Sequence, residues 1–284
     1  MKRYLLGAYG VPYRSENPGE LFSRLHRDGW QCTQLAFKKH LTGIGSFSDV
    51  TEELVVRTRA AAEENQLRIA VLGTYVELGL LEESGRQAAV SDFLSQISVC
   101  RALGAGCIAS ETTPLFRQPQ GSTRQEARKA LYRSLETILP EAQRQGVCVA
   151  LETVWPHTMN TVEAAAQVLQ DMESPNLRLI FDPVNLLSGD LLNRQEEVFC
   201  RAAETWGDRI AAVHLKGVLP GNGEPEITWL RDPHSVLDLQ AIGKALQRLP
   251  QQELVLLREE AVPDQAEEDQ KCIRDLLCSL DPEI

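Results

Sequence analysis

The seven cysteines of this 284-residue chain include no Cys-x-x-Cys pair and no zinc-ribbon spacing. Cys32, Cys107 and Cys148 lie within apolar runs, so we interpret them as reduced, buried, small hydrophobic residues. Long hydrophobic runs are also absent. The first ten residues, MKRYLLGAYG, contain only a short apolar stretch broken by Gly7, too short for a signal-peptide core or a membrane span. The sequence therefore predicts a cytoplasmic protein without a membrane partner.

Histidine and positive charge are scarce. The chain has 5 His and a formal net charge of −11, so its surface repels phosphate backbones and nucleic acid is not an expected partner. It has no low-complexity segment, no Gly-x-Gly-x-x-Gly turn after the first apolar run, and no P-loop. With 43% hydrophobic residues, the chain can form a large core that needs no disulfide bonds or structural metal ions for stability.

Short apolar runs alternate with helical stretches along the whole chain. Four of the helical stretches are clear: 48–66, 122–146, 160–172 and 263–280. The first opens with Asp49 or Thr51 as a cap, and the second runs from a Ser or Thr cap to Gly146. There are eight apolar runs: YLLGAYG (4–10), CTQLAF (32–37), LRIAVLGTY (67–75), CIASETT (107–113), VCVALET (147–153), LRLIFDPVN (177–185), IAAVHLKG (210–217) and ELVLLREEA (253–261).

Near-continuous apolar strands separated by helices are typical of a parallel sheet whose faces are covered. Eight such units predict an α/β fold of the (β/α)8 TIM barrel type, formed by one domain over residues 1–284. An open doubly wound sheet is the alternative, but its glycine-rich first turn is missing.

Each of the last four apolar runs carries a potential metal-ligand side chain towards its carboxyl end. These are Glu152 in the fifth run, Asp182 in the sixth, His214 in the seventh, and Glu259 and Glu260 in the eighth. Active sites of TIM barrels lie at the carboxyl ends of the strands, so these groups are expected to converge. Two Glu, one Asp and one His suit Mn²⁺, Co²⁺ or Mg²⁺, and also Zn²⁺.

The chain resembles the xylose isomerase-like superfamily of TIM barrels, the sugar phosphate isomerase/epimerase group. The stretches ALET, LRLIFDPVNLL and AAVHLKG carry this resemblance. It implies a divalent metal, Mn²⁺ foremost, held by Glu152, Asp182, His214 and Glu259. Strand alternation turns only one of Glu259 and Glu260 inward, and we favour Glu259 because it comes first after the run.

The resemblance also implies the reaction: isomerisation or epimerisation of a sugar or keto-sugar, phosphorylated or not, through a cis-enediolate. Glu152 and Glu259 would take and return the proton. Further substrate contacts are expected from side chains near the strand ends, namely Glu111, Trp155, His157, Asn185 and Lys216. Asn185 departs from epimerase-like relatives, which carry a histidine there. Tyr9, Phe37 and Tyr75 would add an apolar wall, and the segment 219–229 would form a lid.

Three other functions are known or conceivable for a barrel of this kind. A lyase would use the same enolate to expel a β-hydroxyl, as in dehydration of a keto-inositol. An abasic-site endonuclease needs a three-zinc cluster with more histidines and a basic face, which 5 His and a charge of −11 disfavour. A barrel that binds a metabolite without catalysis would not need all four ligand types. Relatives in this superfamily are often dimers or tetramers, so the resemblance is also compatible with a homo-oligomer.

Overall fold

The computed structural model describes residues 2–9, 11–222, 224–260 and 264–280. Eight parallel strands close into a barrel in which the first strand pairs with the last, confirming the predicted TIM barrel. All eight apolar runs form these strands, and residues 10 and 261 at the ends of two runs lie outside the described residues. The strands are β1 Arg3–Tyr9, β2 Cys32–Leu35, β3 Arg68–Gly73, β4 Cys107–Glu111, β5 Val149–Glu152, β6 Leu177–Phe181, β7 Ile210–Leu215 and β10 Glu253–Arg258.

A short antiparallel hairpin follows β7. Its strands are β8 Gly217–Leu219 and β9 Glu226–Thr228, which include residues 219 and 226–228 of the segment predicted to be a lid. A Cβ atom at Gly217 would lie 2.4 Å from the backbone oxygen of Trp229, so only glycine permits this approach. The hairpin is therefore fastened closely to the end of β7.

Helices cover the outside of the barrel between successive strands: α1 Pro18–Arg27, α2 Phe37–His40, α3 Glu52–Glu64, α4 Glu83–Leu103, α5 Arg124–Gln145, α6 Val162–Met172, α7 Gln195–Trp206, α8 Leu239–Arg248 and α9 Ala266–Leu280. Thr51, rather than Asp49, caps α3. Thr123 caps α5, which ends at Gly146 in the left-handed conformation. In the described part of the chain, no helix is both long enough and apolar enough to cross a bilayer.

Small and branched apolar side chains together fill the inside of the barrel. The small ones include Cys107, Ala109 and Ala150, and the branched ones include Ile180 and Leu257. A larger cluster of Leu, Ile, Val and aromatic residues packs between the strands and the helices. Because successive side chains of a strand face opposite sides, the inward positions of β4 lead from Cys107 through Ala109 to Glu111. The same alternation carries polar side chains into the mouth of the barrel.

The outward face of β10 is held by a buried ion pair. Arg258 Nη1 lies 2.7 Å from Asp269 Oδ2 of α9, and both side chains are 2% exposed. The Arg258 guanidinium also lies over the Trp30 ring, 5.0 Å from its centroid. Since Arg258 faces outward, its neighbour Glu259 faces inward in line with Val255 and Leu257.

Candidate metal centre and active site

Three side chains from β5, β6 and β7 meet at the mouth of the barrel. His214 Nδ1 lies 3.6 Å from Glu152 Oε2 and 3.7 Å from Asp182 Oδ2. Each residue offers one ligand atom, and these atoms lie within 4.8 Å of one another. All three side chains are buried. The structure therefore forms a cluster that could hold a metal ion.

Glu259 adjoins this cluster from the carboxyl end of β10. Its Oε1 atom lies 3.1 Å from His214 Nδ1, and the residue is buried. Glu260 is exposed and adopts a positive φ of 44°. Of the two glutamates between which the sequence left a choice, Glu259 is the one that reaches the cluster.

A glutamine that the sequence analysis missed orients the histidine ring. Gln34, at the end of β2, donates from Nε2 to the Tyr75 hydroxyl at 2.8 Å, so its Oε1 is left to accept. That oxygen lies 3.0 Å from His214 Nε2, which must carry a proton to donate. In the neutral ring, the lone pair of Nδ1 then points at the three carboxylates, as a metal ligand requires.

The electrostatics of the cluster favour a cation at this point. Burial alone would lower the pKa of His214, but the carboxylates of Glu259 and Glu152 outweigh it and raise that pKa well above its ordinary value. His214 Nδ1 and Asp182 Oδ2 are nevertheless buried without a well-aligned hydrogen bond, although Asp182 Oδ2 lies 2.6 Å from Lys216 Nζ. Carboxylate oxygens and an imidazole nitrogen that face one another in a buried cluster form a ligand set that fits a divalent cation.

Lys216, which the sequence predicts to contact substrate, is buried beside the cluster. The residue is 4% exposed, and its Nζ atom lies 2.6 Å from Asp182 Oδ2 and 3.1 Å from Glu259 Oε2. Burial would lower its pKa, but Asp182 and Glu259 raise it well above the usual value. The ammonium therefore belongs to the carboxylate cluster.

Asn185 contacts Glu152 from the turn that follows β6. It lies in a short 3₁₀ turn, Val184–Leu186, whose backbone is held because Asn185 N donates to Asp182 Oδ1 at 3.0 Å. Its side-chain Nδ2 donates to Glu152 Oε1 at 2.6 Å. Its carbonyl oxygen accepts from the backbone N–H of Trp155 at 2.8 Å. Asn185 thus joins the ends of β5 and β6 and fixes one oxygen of Glu152.

Glu111 and His157 lie together on the β4 and β5 side of the mouth. Glu111 is the register partner of Glu152, so both side chains point inward from neighbouring strands. His157 Nε2 lies 3.8 Å from Glu111 Oε2. Burial, with a further contribution from Glu152, raises the pKa of Glu111 to about 7, and burial lowers the pKa of His157 to about 4. The histidine is therefore neutral at pH 7.

The aromatic residues predicted to form a wall are divided between two places. The Tyr9 and Tyr75 rings lie 6.2 Å apart near the strand ends, and the Lys39 ammonium lies 3.2 Å from the Tyr75 centroid. Phe37 instead begins α2 and is buried in the outer core. Trp155 is half-buried, and the Arg124 guanidinium lies 5.4 Å from its ring centroid.

Comparisons with known proteins place this geometry in a family. The model of the xylose isomerase-like TIM barrel family matches residues 22–276, most of the chain. The chain belongs to the xylose isomerase-like TIM barrel family. The resemblance inferred from its strand ends is thereby confirmed. No curated protein matches the chain significantly in sequence.

Several solved structures share the fold of this xylose isomerase-like barrel. The 3-keto-D-glucoside 4-epimerase YcjR from E. coli, in its apo form, has a TM-score of 0.73 and 18% identity, covering 97% of this chain and 99% of its own. A D-tagatose 3-epimerase-like protein has a TM-score of 0.77 and 13% identity over 100% and 99%. The IOLI protein with a binding zinc atom has a TM-score of 0.73 and 18% identity over 99% and 98%. At these identities the likeness shows the shared fold.

Proposed function

We propose that this protein is a divalent-metal-dependent isomerase or epimerase of a keto-sugar. The observation that carries the proposal is that Glu152 and Glu259 approach one imidazole nitrogen from different strands, at 3.6 and 3.1 Å. Two carboxylates around one centre suit transfer of a proton from and to carbon. Similar structures include a 3-keto-glucoside 4-epimerase and a D-psicose 3-epimerase determined in the presence of D-fructose, which supports a keto-sugar as substrate.

Glu152, Asp182, His214 and Glu259 would hold the metal. With the three carboxylates ionised and the His214 ring neutral, as a metal ligand must be, the Lys216 ammonium leaves two negative charges, which a divalent cation would neutralise. Mn²⁺ is the metal we propose, with Co²⁺, Mg²⁺ and Zn²⁺ as alternatives. When bound, it would supply Lewis-acid polarisation of neighbouring sugar oxygens.

The protein's own groups would move the proton. One of the two glutamates takes the proton from the carbon beside the carbonyl, which gives a cis-enediolate, and the other returns a proton to the same or the neighbouring carbon. Asn185 holds Glu152 Oε1, and Lys216 lies beside Glu259 Oε2, so each carboxylate is fixed from one side. These contacts limit side-chain motion and so keep both bases in reach of one substrate carbon.

Glu111 and His157 are proposed to contact substrate hydroxyls across the mouth from the metal. The neutral His157 ring offers one donor and one acceptor, and Glu111 supplies a carboxyl group beside it. Trp155 lies in the same β5 loop and would border the substrate with its ring. Asn185 and Lys216 are assigned to the carboxylates they contact rather than to the sugar.

Incubation with a panel of keto-sugars in D₂O with Mn²⁺, followed by NMR, tests the proposal. Deuterium incorporated at carbon without loss of water is expected, whereas loss of water would assign the lyase reaction instead. EDTA should abolish turnover and Mn²⁺ should restore it.

Glu152→Gln should be folded but inactive, while the exposed Glu136→Gln serves as a control. Normal turnover by Glu152→Gln would refute the catalytic assignment.

A further inference from the structure

A lysine buried at the mouth of a barrel is costly unless its charge is matched. Transfer of an ammonium out of water is compensated only by nearby negative groups with good geometry. Lys216 has two such groups, Asp182 and Glu259, at 2.6 and 3.1 Å, and is 4% exposed. Both partners are residues that we propose as metal ligands. Asp182 Oδ2 therefore faces both the ammonium and His214 Nδ1, while Glu259 turns Oε2 to the ammonium and Oε1 to His214 Nδ1.

The backbone around Lys216 fixes this arrangement. His214 and Lys216 are two residues apart at the end of β7, so both point into the mouth. Gly217 follows at once and begins the hairpin, and its backbone lies so close to Trp229 that a Cβ atom would be 2.4 Å from the Trp229 oxygen, which fixes the backbone next to the lysine. The ammonium is thus directed at the cluster by the fold itself.

We propose that Lys216 is a positioning residue that acts as an internal counter-cation. It holds Asp182 and Glu259 in their ligand positions before a divalent metal binds. It also weakens metal binding, because its positive charge neutralises part of the carboxylate charge that attracts the metal. The inference depends on the proposed metal site but not on any substrate. A metal cation and an ammonium can share one carboxylate because each oxygen has two lone pairs.

Lys216→Met tests this proposal, because methionine has a side chain of similar length without charge. The melting temperature of the protein in EDTA should fall by about 6 to 10 °C, since one partner of a buried ion pair has been removed. Mn²⁺ affinity measured by calorimetric titration should rise about tenfold or more, because the metal then supplies a missing charge. Lys244→Met, which removes an exposed lysine paired with Glu196, should change neither quantity appreciably.

Two results would overturn the inference. If Lys216→Met bound Mn²⁺ as tightly as the unaltered protein or more weakly, the lysine would not compete with the metal. If its melting temperature in EDTA were unchanged, the lysine would not organise the metal-free site. These readouts need no turnover, so an error in the proposed reaction would leave them intact. Failure of the unaltered protein to bind any divalent cation would instead refute the metal site.

A double variant covers the case in which Lys216→Met does not fold. Lys216→Met with Glu259→Gln removes one charge of each sign and leaves the net charge of the cluster unchanged. Its melting temperature in EDTA should lie well above that of Lys216→Met alone, or it should fold where the single variant does not. If the double variant were no more stable than the single one, the proposed pairing would be wrong.

Discussion

Replacing Asn185 with alanine removes one defined contact from the candidate site. Its side-chain amide donates to Glu152 Oε1 at 2.6 Å, and the residue is buried. A hydrogen bond to a charged group contributes about 1.5 to 3 kcal/mol. Since 1.36 kcal/mol is a factor of ten, its loss should weaken Mn²⁺ binding about 10- to 100-fold, the range typical of groups that orient metal ligands.

The measurement is a calorimetric titration of the metal-free protein with Mn²⁺. Asn176→Ala is the matched control, because its side chain donates to the Val147 carbonyl at 2.8 Å, near the opposite end of β5. That variant should lose some stability but keep its metal affinity. If Asn185→Ala bound Mn²⁺ as tightly as the unaltered protein, the assignment of Asn185 as a support for a metal-binding Glu152 would be refuted.

Three further predictions follow from the strand ends. Glu259→Gln should reduce Mn²⁺ affinity more than Glu260→Gln, because only the first side chain reaches His214. Arg258→Met should lower the melting temperature by a few degrees, since it removes one of the two arginines that pair with the buried Asp269 and leaves only Arg231, at 3.0 Å. Gly217→Ala should destabilise the protein by about 1 to 3 kcal/mol in urea unfolding, because its Cβ would clash with a backbone oxygen of the hairpin.

Each of these predictions has a result that contradicts it. A larger affinity loss in Glu260→Gln would reassign the fourth ligand. Replacing both Arg258 and Asp269 with apolar residues should recover most of the stability, and failure to do so would show that the ion pair is not the cause. Gly45→Ala, where a Cβ would meet nothing closer than 3.7 Å, should be nearly neutral. An equal loss at positions 45 and 217 would exclude the clash as the cause.

The fold was predictable because its signal is repeated and local. Each barrel strand is an apolar run followed by a helix, and the helix caps at Thr51, Thr123 and Gly146 stand at the sequence positions that their chemistry favours. Even the inward orientation of Glu259 follows from counting residues along β10. Such features depend on residues that are close together in the sequence, so they can be recognised without the structure.

The supporting contacts were not predictable because they depend on distant residues. Gln34 reaches His214 across 180 positions of sequence, and nothing in CTQLAF distinguishes it from an ordinary polar strand residue except its inward position. The burial of Lys216 could not be predicted from the sequence, because lysine is rarely buried. Its burial becomes understandable only once Asp182 and Glu259 are known to surround it.

The adjacency of Arg258 and Glu259 also protects the barrel against misalignment. If β10 slipped by one residue, a guanidinium would enter the mouth beside His214 and a carboxylate would face Asp269. The Glu259 and Asp269 carboxylates would then repel each other on the outside of the barrel. Inside the mouth, the cluster would lose the negative charge of Glu259. Opposite charges at consecutive positions thus lock the final strand into a single alignment from both of its faces.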